Sequence, residues 1–237
     1  MTAGRLFAIG DIHGCVTELA ALLDGLDVAA GDAVCFVGDY LDRGPDSKGV
    51  IDLLLERRAK RGDVEWVFLK GNHEDMCLAF LGRRGNWGES WIMNGGAAAI
   101  RSYGVDARAE PAVIEGAMPE DHLAFLESLG RVHRWQDYLF VHAGIRPGVA
   151  WEEQSDEDLF WIREEFLLHP HGLPETVVFG HTPHRNVLVQ LPYRIGIDTG
   201  LVYGGALTAL ELPGRTLHQE RAGERRVRRS QLPARRG

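Results

Sequence analysis

The chain has 237 residues, of which 45% are hydrophobic and 25% are charged, and its formal net charge is −8. This composition is typical of a globular protein large enough to fold without disulfides. Cys15, Cys35 and Cys77 form no close pair, which argues against a disulfide scaffold or zinc ribbon and favours a reducing, cytoplasmic compartment. Neither a signal peptide nor a membrane helix is expected, because no apolar run is long enough for either.

The charge is unevenly distributed along the chain. Residues 221–237 carry seven arginines and one glutamate, which leaves a net charge of −14 on residues 1–220. Such an acidic body does not suit a large nucleic-acid partner, whose phosphate backbone demands positive surface. It suits a protein that holds cations. We expect one domain over residues 1–220, followed by a flexible arginine-rich tail over 221–237.

The first 70 residues alternate between apolar strands and helices. Strands are predicted at 5–9, 33–37 and 64–69, and helices at 16–26 and 47–60. Parallel strands need such crossover helices between them. The order therefore predicts an α/β fold with a parallel sheet covered by helices.

The rest of the chain is more helical at first and then returns to strands. Helices are predicted at 74–81, 91–103, 119–129 and 156–166, and strands at 138–141, 176–179, 187–190, 194–197 and 206–211. No Pro- or Gly-rich linker separates two cores. We therefore expect a single domain with a helical insertion, or cap, near residues 75–130.

Five of the predicted strands are followed directly by glycine and polar residues. The segments read GDIHG (10–14), GDYLDRG (38–44), GNHE (71–74), VHAG (141–144) and GHTP (180–183). Ligands of open α/β sheets bind at the carboxyl ends of the strands. The side chains expected to meet at this edge are Asp11, His13, Asp39, Asp42, Arg43, Asn72, His73, His142 and His181.

These side chains have the chemistry of a dinuclear metal centre. Carboxylate, amide and imidazole ligands without a thiolate favour Mn²⁺, Fe or Zn²⁺. Two carboxylates, one amide and three imidazoles are too many for one tetrahedral ion and suit two, as in two-metal hydrolytic sites. Each motif alone has a simpler explanation as a helix cap, a turn or a surface ion pair. Five of them in succession are hard to explain in that way.

In this order, the motifs resemble the signature of the phosphoprotein-phosphatase branch of the calcineurin-like metallophosphoesterases. The resemblance extends to the segments DLFWIR (158–163) and IDTGLVYGG (197–205), so that it covers about residues 5–212. It implies a central β-sandwich of mixed sheets flanked by helices. It also implies two divalent metal ions, with Mn²⁺ as the first choice and Fe, Zn²⁺ or Ni²⁺ as alternatives.

The resemblance assigns the metal ligands. The first ion would be held by Asp11, His13 and Asp39, and Asp39 would bridge to the second ion. The remaining ligands of the second ion would be Asn72, His142 and His181. A hydroxide bridging the two ions would be the nucleophile, so that no covalent phosphoenzyme is expected.

The resemblance also assigns the catalytic side chains. His73 would protonate the leaving alkoxide as the general acid, and Asp42 would orient and charge it. Arg43 and Arg163 would hold the phosphoryl oxygens together with Asn72.

The substrate is less sharply predicted than the reaction. Asp42 and Glu74 are both present, whereas symmetrical diadenosine tetraphosphate hydrolases lack both in the family pattern. We therefore expect hydrolysis of phosphomonoesters, above all phosphoserine and phosphothreonine in proteins. Phosphotyrosine, diadenosine tetraphosphate, RNA ends and cyclic nucleotides are alternatives. A non-catalytic binding scaffold is a further alternative, which the intact Asp42–His73 pair argues against. The oligomeric state stays open.

The remaining histidines and tryptophans are predicted to be structural. His169 and His171 lack neighbouring carboxylates and are expected to be solvated. His184 is expected at the surface, with contact to substrate as the alternative. Trp161 is expected to pack in the core or at its rim, and Trp91 likewise, with control of substrate access by the cap as the alternative for Trp91.

Overall fold

A computed structural model describes residues 4–224 and 226–232. In this part of the chain the strands are β1 (Leu6–Ile9), β2 (Ala33–Phe36), β3 (Glu65–Phe68), β4 (His133–Trp135), β5 (Tyr138–Phe140), β6 (Thr176–Phe179), β7 (Leu188–Gln190), β8 (Arg194–Gly196), β9 (Ala206–Leu212), β10 (Thr216–Arg221) and β11 (Val227–Gln231). The α-helices are α1 (Val16–Gly25), α2 (Ser47–Lys60), α3 (Asn72–Phe80), α4 (Ala97–Ser102), α5 (Pro111–Ala117), α6 (Glu120–Glu127), α7 (Asp156–Trp161) and α8 (Glu164–Leu168).

The strands form two mixed sheets that pack face to face. One has the order β11-β10-β9-β1-β2-β3 and the other β4-β5-β6-β8-β7. Successive side chains of a strand point to opposite faces, so Leu6 and Ala8 lie in the core shared by the two sheets. Phe7 and Ile9 lie in a second core, which includes residues of the first six helices. The predicted β-sandwich flanked by helices is thereby confirmed.

The second sheet is covered on its outer face by α7 and α8. Leu139 of β5 and Val177 of β6 pack there against Leu159, Phe160 and Phe166. The molecule therefore has four layers, helix–sheet–sheet–helix, and the carboxyl ends of the central strands of both sheets are free to carry loops. Within the described residues, none of the helices has the length and hydropathy needed to cross a lipid bilayer.

The segment 75–130 is helical over much of its length. The helix predicted at 91–103 is interrupted by a π-helical turn at Ile92–Gly96, in which Gly95 has a φ of 112°. A Cβ atom on Gly95 would lie 2.7 Å from Cγ of Arg43, and the carbonyl oxygen of Gly95 accepts a hydrogen bond from the Arg43 amide. The interruption thus supports the loop after β2. The expectation that this segment forms a cap stays a prediction.

The structure corrects the expected tail. Residues 227–231 form β11, which pairs antiparallel with β10, and residues 216–221 form a strand that was not predicted. Val227 packs against Gly25 of α1 and against the second core, which contains Phe7 and Ile9. Cross-strand hydrogen bonds and this anchor order a segment whose arginine content alone suggested a solvated tail. Residues 225 and 233–237 lie outside the described residues.

Asp32 fastens the start of β1 to the loop before β2. Its carboxylate accepts hydrogen bonds from the amides of Arg5 and Ala29 and from the Arg5 guanidinium, all at 2.8 Å. Burial opposes ionisation, but these bonds outweigh it and hold the pKa of Asp32 below its ordinary value. A pKa lowered by folding gives stability that is full above the unfolded pKa and is lost as the pH falls through the folded pKa.

The Asp32→Ala variant should therefore lose about 1–3 kcal/mol of unfolding free energy at pH 7. Its deficit relative to the parent should shrink as the pH falls below about 4. Urea unfolding at both pH values measures this. Asp63→Ala is the control, because Asp63 pairs with Arg61 at an exposed position, where solvent screening leaves an ion pair little effect on stability. An Asp32 deficit that is independent of pH would contradict the ion-pair explanation.

Candidate metal centre

The predicted polar side chains meet where strands of both sheets end. Asp11 and His13 follow β1, residues 39–43 follow β2, and Asn72 and His73 begin α3 after β3. The other sheet contributes His142 after β5 and His181 after β6. The residues that are buried at this junction are Asp11, His13, Asp39, Asp42, Asn72, His73, His142 and His181.

The loops that carry these residues hold an uncommon backbone conformation. Non-glycine residues rarely adopt a positive φ, and those that do cluster at functional sites. In the described residues, eight have one, and the five that belong to this site are His13, Asp39, Asp42, Arg43 and His181. Neighbouring structure must hold these loops in place, since each such residue carries a conformational cost.

Glu74 of α3 holds the loop after β2. One carboxylate oxygen accepts hydrogen bonds from the amides of Asp39 (3.0 Å) and Gly71 (2.9 Å). The other accepts from Tyr40 (2.8 Å) and Leu41 (3.2 Å). A single buried side chain thus satisfies four amides and fixes the position of Asp39.

The Glu74→Gln variant should lose on the order of 3 kcal/mol of stability, because its amide group turns N–H donors toward two of the four backbone donors. Metal affinity should fall with it, since Asp39 is no longer held. Thermal unfolding and metal titration measure the two effects. Glu65→Gln, at an exposed position of β3, is the control. An unchanged melting temperature would show that Glu74 does not hold the loop.

Electron-pair donors converge at the centre of the site. Nδ1 of His13 donates a hydrogen bond to the carbonyl oxygen of Leu41 (2.9 Å), and Nδ1 of His142 donates to that of Val37 (2.9 Å). The Nε2 lone pairs of both rings are therefore directed elsewhere. Nε2 of His13 lies 3.5 Å from Asp39 Oδ2, and Nε2 of His142 lies 3.4 Å from Asp39 Oδ1.

Asn72 adds a further oxygen to this group of donors. Its Oδ1 lies 3.0 Å from Nε2 of His142 and 2.9 Å from Nδ1 of His181. Burial lowers the pKa of His13 to about 3 and also lowers the pKa of His142 and of His181. Neutral imidazoles are the form that binds metal ions. The three histidines therefore have the protonation state of ligands.

Three carboxylates crowd the same place. Burial, together with the charges of Asp198 and Asp39, raises the pKa of Asp11 well above its ordinary value. Burial also raises the pKa of Asp198 to about 6. Buried carboxylates of like charge are stable only when a cation or a proton compensates them. The donor set therefore fits bound cations.

Two groups of ligand atoms can each hold an ion, and they share one residue. His13, Asp39 and His73 form one group, and Asp39, His142 and His181 form the other. Asp39 belongs to both groups, and its role as a bridging ligand stays a prediction. Asp11 is in neither group; its carboxylate accepts hydrogen bonds from the His181 amide at 3.2 and 2.9 Å. Its role as a ligand stays a prediction.

His73 differs from the other histidines of the site. Its Nδ1 lies 2.6 Å from Asp42 Oδ2, and the indole N–H of Trp91 donates to both oxygens of Asp42 at 3.0 and 2.9 Å. Burial alone would lower the pKa of His73, but the charges of Asp39 and Asp42 outweigh it and raise the pKa. Its Nε2 is buried without a hydrogen-bond partner among the described residues. This nitrogen lies 4.0 Å from Asp39 Oδ2, within the metal centre.

Arg43 and Arg163 lie on the rim of the centre. Arg43 donates to Nε2 of His13 (2.6 Å), and Nε of Arg163 donates to Nε2 of His181 (3.0 Å). The predicted helix 156–166 is broken at Arg163, and the break allows this side chain to reach His181. Two planar guanidinium groups beside a site that fits bound cations suit a tetrahedral oxyanion.

Some contributors were missed by the sequence analysis. Asp198 lies in the segment 197–205, which carries the family resemblance, but it received no role. Trp91 was predicted only as packing, or as control of substrate access, yet it donates to Asp42. No sequence motif indicated the contact between Trp91 and Asp42, because the two residues are 49 positions apart.

Comparison with known proteins gives a family and several relatives for the chain. The calcineurin-like phosphoesterase family profile matches residues 4–210. A serine/threonine-protein phosphatase 1 of Salmonella typhimurium (strain LT2) is 31% identical over 213 residues, covering 86% of this chain and 90% of that one. An asymmetrical bis(5'-nucleosyl)-tetraphosphatase PrpE of Bacillus mycoides (strain KBAB4) is 29% identical over 231 residues, covering 86% and 89%.

A crystal structure of a candidate diadenosine tetraphosphatase is also similar, with a TM-score of 0.70, 27% identity and coverage of 94% of this chain and 96% of that chain. The fold and the site define a metal-dependent hydrolase of phosphoesters. The chain belongs to the calcineurin-like phosphoesterase family, which confirms the resemblance found in its motifs.

Proposed function

We propose that the chain hydrolyses phosphomonoesters, with phosphoserine and phosphothreonine in proteins as its substrates. The observation that carries this proposal is the Asp42–His73 pair, whose Nδ1–Oδ2 distance is 2.6 Å. The buried Nε2 of His73 faces the metal centre without a partner among the described residues. A proton donor in that place is most useful for an alkoxide leaving group, which departs poorly unless it is protonated.

Residues from the loops of both sheets would hold the metal ions. Asp39, with His13 on one side and His142 and His181 on the other, would hold two divalent cations, with Mn²⁺ proposed. His73, the third member of the group that contains His13, would carry a proton and would not be a ligand. When bound, such cations lower the pKa of water and neutralise charge on a phosphoryl group. Asp11 and Asn72 would complete the ligand set.

The protein itself orients the ester and supplies the proton. Arg43 and Arg163 would hold phosphoryl oxygens with their guanidinium forks, assisted by Asn72. His73 would donate a proton from Nε2 to the leaving oxygen, while Asp42 fixes the ring through Nδ1. Trp91 would in turn fix Asp42 by donating to both of its oxygens.

A substrate panel tests this proposal. Phosphoserine, phosphothreonine and phosphotyrosine peptides and diadenosine tetraphosphate are compared with Mn²⁺, Ni²⁺, Zn²⁺ or Mg²⁺ present. The proposal requires metal-dependent release of phosphate, with the highest kcat/KM for a phosphoserine or phosphothreonine peptide. Turnover of diadenosine tetraphosphate alone would refute it. Absence of all turnover with metal bound would instead favour a binding scaffold.

Asymmetrical hydrolysis of dinucleoside tetraphosphates is the second candidate. It is favoured by the PrpE relative at 29% identity and by the diadenosine tetraphosphatase structure at 27% identity. These are as similar to the chain as the protein phosphatase at 31%. Hydrolysis of a phosphoanhydride needs less protonation of its leaving group. In this candidate function, general acid catalysis by the Asp42–His73 pair would therefore contribute less to the rate.

A further inference from the structure

A groove with an unusual charge begins beside the metal centre. It has a volume of about 600 Å³, within the range of ligand sites. The residues that line it are Pro183, His184, Arg185, Asn186, Thr199, Gly200, Tyr203, Gly204, Gly205, Ala206, Gln219 and Arg221. We call it the basic groove, because its charged side chains are arginines and its described lining contains neither Asp nor Glu.

The basic groove is continuous with the proposed phosphate site. The ring of Tyr203 lies 5.7 Å from the guanidinium carbon of Arg43, and Arg43 contacts His13. Thr199 directly follows Asp198, and Pro183 lies two residues beyond His181. A substrate whose phosphate lies at Arg43 and the metal centre can therefore extend along Tyr203 into the groove.

Three of the residues that line the groove are glycines at positions where the backbone disfavours a side chain. Gly200 and Gly204 have φ values of 67° and 85°, a conformation that favours glycine. A Cβ atom on Gly205 would lie 2.0 Å from the carbonyl oxygen of Thr199, so a larger residue there would displace the turn. The absence of side chains at these positions leaves an open trough with exposed Tyr203 at its edge.

Positive charge continues from the groove onto the sheet. Gln219 and Arg221 alternate along β10 and so face the same side. Gln219 is the partner of Arg228 on β11, and cross-strand partners share a face. Arg228, although it also binds Glu224, therefore lies on the groove side. Arg221 and Arg228 thus extend the positive charge of the groove along the sheet, on a protein whose net charge is −8.

A second groove near the centre has side chains of both charges. It has a volume of about 560 Å³, and its lining includes the carboxylates of Asp75, Asp156 and Glu157, the guanidinium groups of Arg84 and Arg131, and the ring of Trp161. The ring of Trp161 lies 6.2 Å from that of His181. The two grooves share no lining residue. The acidic groups of an extended substrate would meet only arginines as charged groups in the basic groove, whereas the second groove would present both carboxylates and arginines to them.

We propose that the basic groove binds an acidic peptide segment adjoining the phosphorylated residue, and so selects phosphoproteins with Asp or Glu near the phosphate. This inference rests on the proposed protein phosphatase function. We choose a peptide as the occupant because the arginines continue beyond the lining of the groove to Arg228 on β11, where an extended chain could lie. Arg185 and Arg221 would form charge-assisted hydrogen bonds with the carboxylates.

The test compares phosphoserine peptides that differ only in neighbouring residues. One carries three acidic residues on the amino side, one carries them on the carboxyl side, and one carries neutral residues of similar size. We expect kcat/KM to be about 10-fold higher for one of the acidic peptides than for the neutral one at low salt. The ratio should fall as ionic strength rises, because exposed charges are screened.

Reversing the charge of the groove arginines tests whether the basic groove is responsible for the preference for acidic peptides. In a variant with Arg185→Glu and Arg221→Glu, the acidic-to-neutral ratio should fall to about one or below. Arg84→Glu is the matched control, because Arg84 lines the second groove and its reversal should leave the ratio high. A ratio is used because partial misfolding would lower both rates equally.

Three results would overturn the inference. The first is efficient turnover of phosphopeptides with a ratio near one in the unaltered protein. The second is a high ratio that survives the double reversal. The third is diadenosine tetraphosphate hydrolysis that falls in the double variant while phosphopeptide hydrolysis does not, which would assign the groove to a nucleotide. Failure to cleave any phosphopeptide would refute the proposed function itself and is distinguishable from these.

Discussion

The Asp39→Asn variant is expected to lose both metal ions together and, with them, activity by on the order of 10³-fold, since two-metal catalysis supplies several kcal/mol. Asp39 belongs to both groups of ligand atoms in the centre. Its two oxygens face different histidines, Oδ2 toward His13 at 3.5 Å and Oδ1 toward His142 at 3.4 Å. Replacing one oxygen by an amide nitrogen removes the charge that both ions need. Calorimetric titration with Mn²⁺ and turnover of a phosphoserine peptide measure the two losses.

Asp32→Asn is the control for this variant, because it also removes a buried carboxylate but one that pairs with Arg5. It should keep its metal affinity. If Asp39→Asn retained one ion at full affinity while losing the other, Asp39 would be a ligand of a single ion.

The His73→Ala variant should slow hydrolysis of alkyl phosphates by about 10²–10⁴-fold and that of p-nitrophenyl phosphate by much less. The alkoxide must be protonated as it leaves, whereas p-nitrophenolate departs readily without a proton. His73 is held for this task by Asp42 at 2.6 Å, and its Nε2 faces the centre. Steady-state rates on a series of esters with graded leaving-group pKa values measure the effect.

A steeper dependence of log(kcat/KM) on leaving-group pKa in the variant than in the parent is the expected signature. His122→Ala serves as the control, because His122 is also a buried histidine bonded to a carboxylate, that of Asp52, and lies on α6. Equal losses on alkyl and aryl esters would show that His73 acts as a metal ligand or a structural residue rather than as an acid.

Much of the fold follows from local sequence patterns. The first three strands and two helices were predicted to within two residues, because apolar runs and caps define them locally; Asp46 caps α2 through the Gly49 amide at 2.8 Å. The strands β10 and β11 were not predicted. Their charged residues do not form an apolar run, and their stability comes from pairing with β9 and from Val227 packing on α1. Only the folded chain supplies these partners.

The candidate site was predictable to the extent that its residues stand beside glycine at strand ends. Asp11, Asp39 and Asn72 each directly follow a glycine, and the structure brings them together. Glu74 and Trp91 act through residues that are distant in sequence, since Glu74 holds amides 33–35 positions away. The charge of the basic groove likewise could not be read from the sequence, because Arg185 and Arg221 lie on separate elements.

Arg163 illustrates the same limit of prediction from local sequence. The family resemblance assigned Arg163 to the phosphate site, and the sequence pattern predicted a continuous helix at 156–166 around it. The helix instead breaks there, with Arg163 at φ −133° and ψ −94°. The contact with His181 at 3.0 Å accompanies the break, so that a tertiary contact takes the place of continuous helical periodicity at this point. Helix propensity carries no information about such a distant partner.

Anomalous diffraction from crystals grown with Mn²⁺ tests the central claim most directly. The ligand geometry predicts two separate manganese peaks, each contacted by one oxygen of Asp39, with His13 beside one ion and His142 and His181 beside the other. A single peak at saturating Mn²⁺, or two peaks of which only one touches Asp39, would contradict a bridged pair of cations.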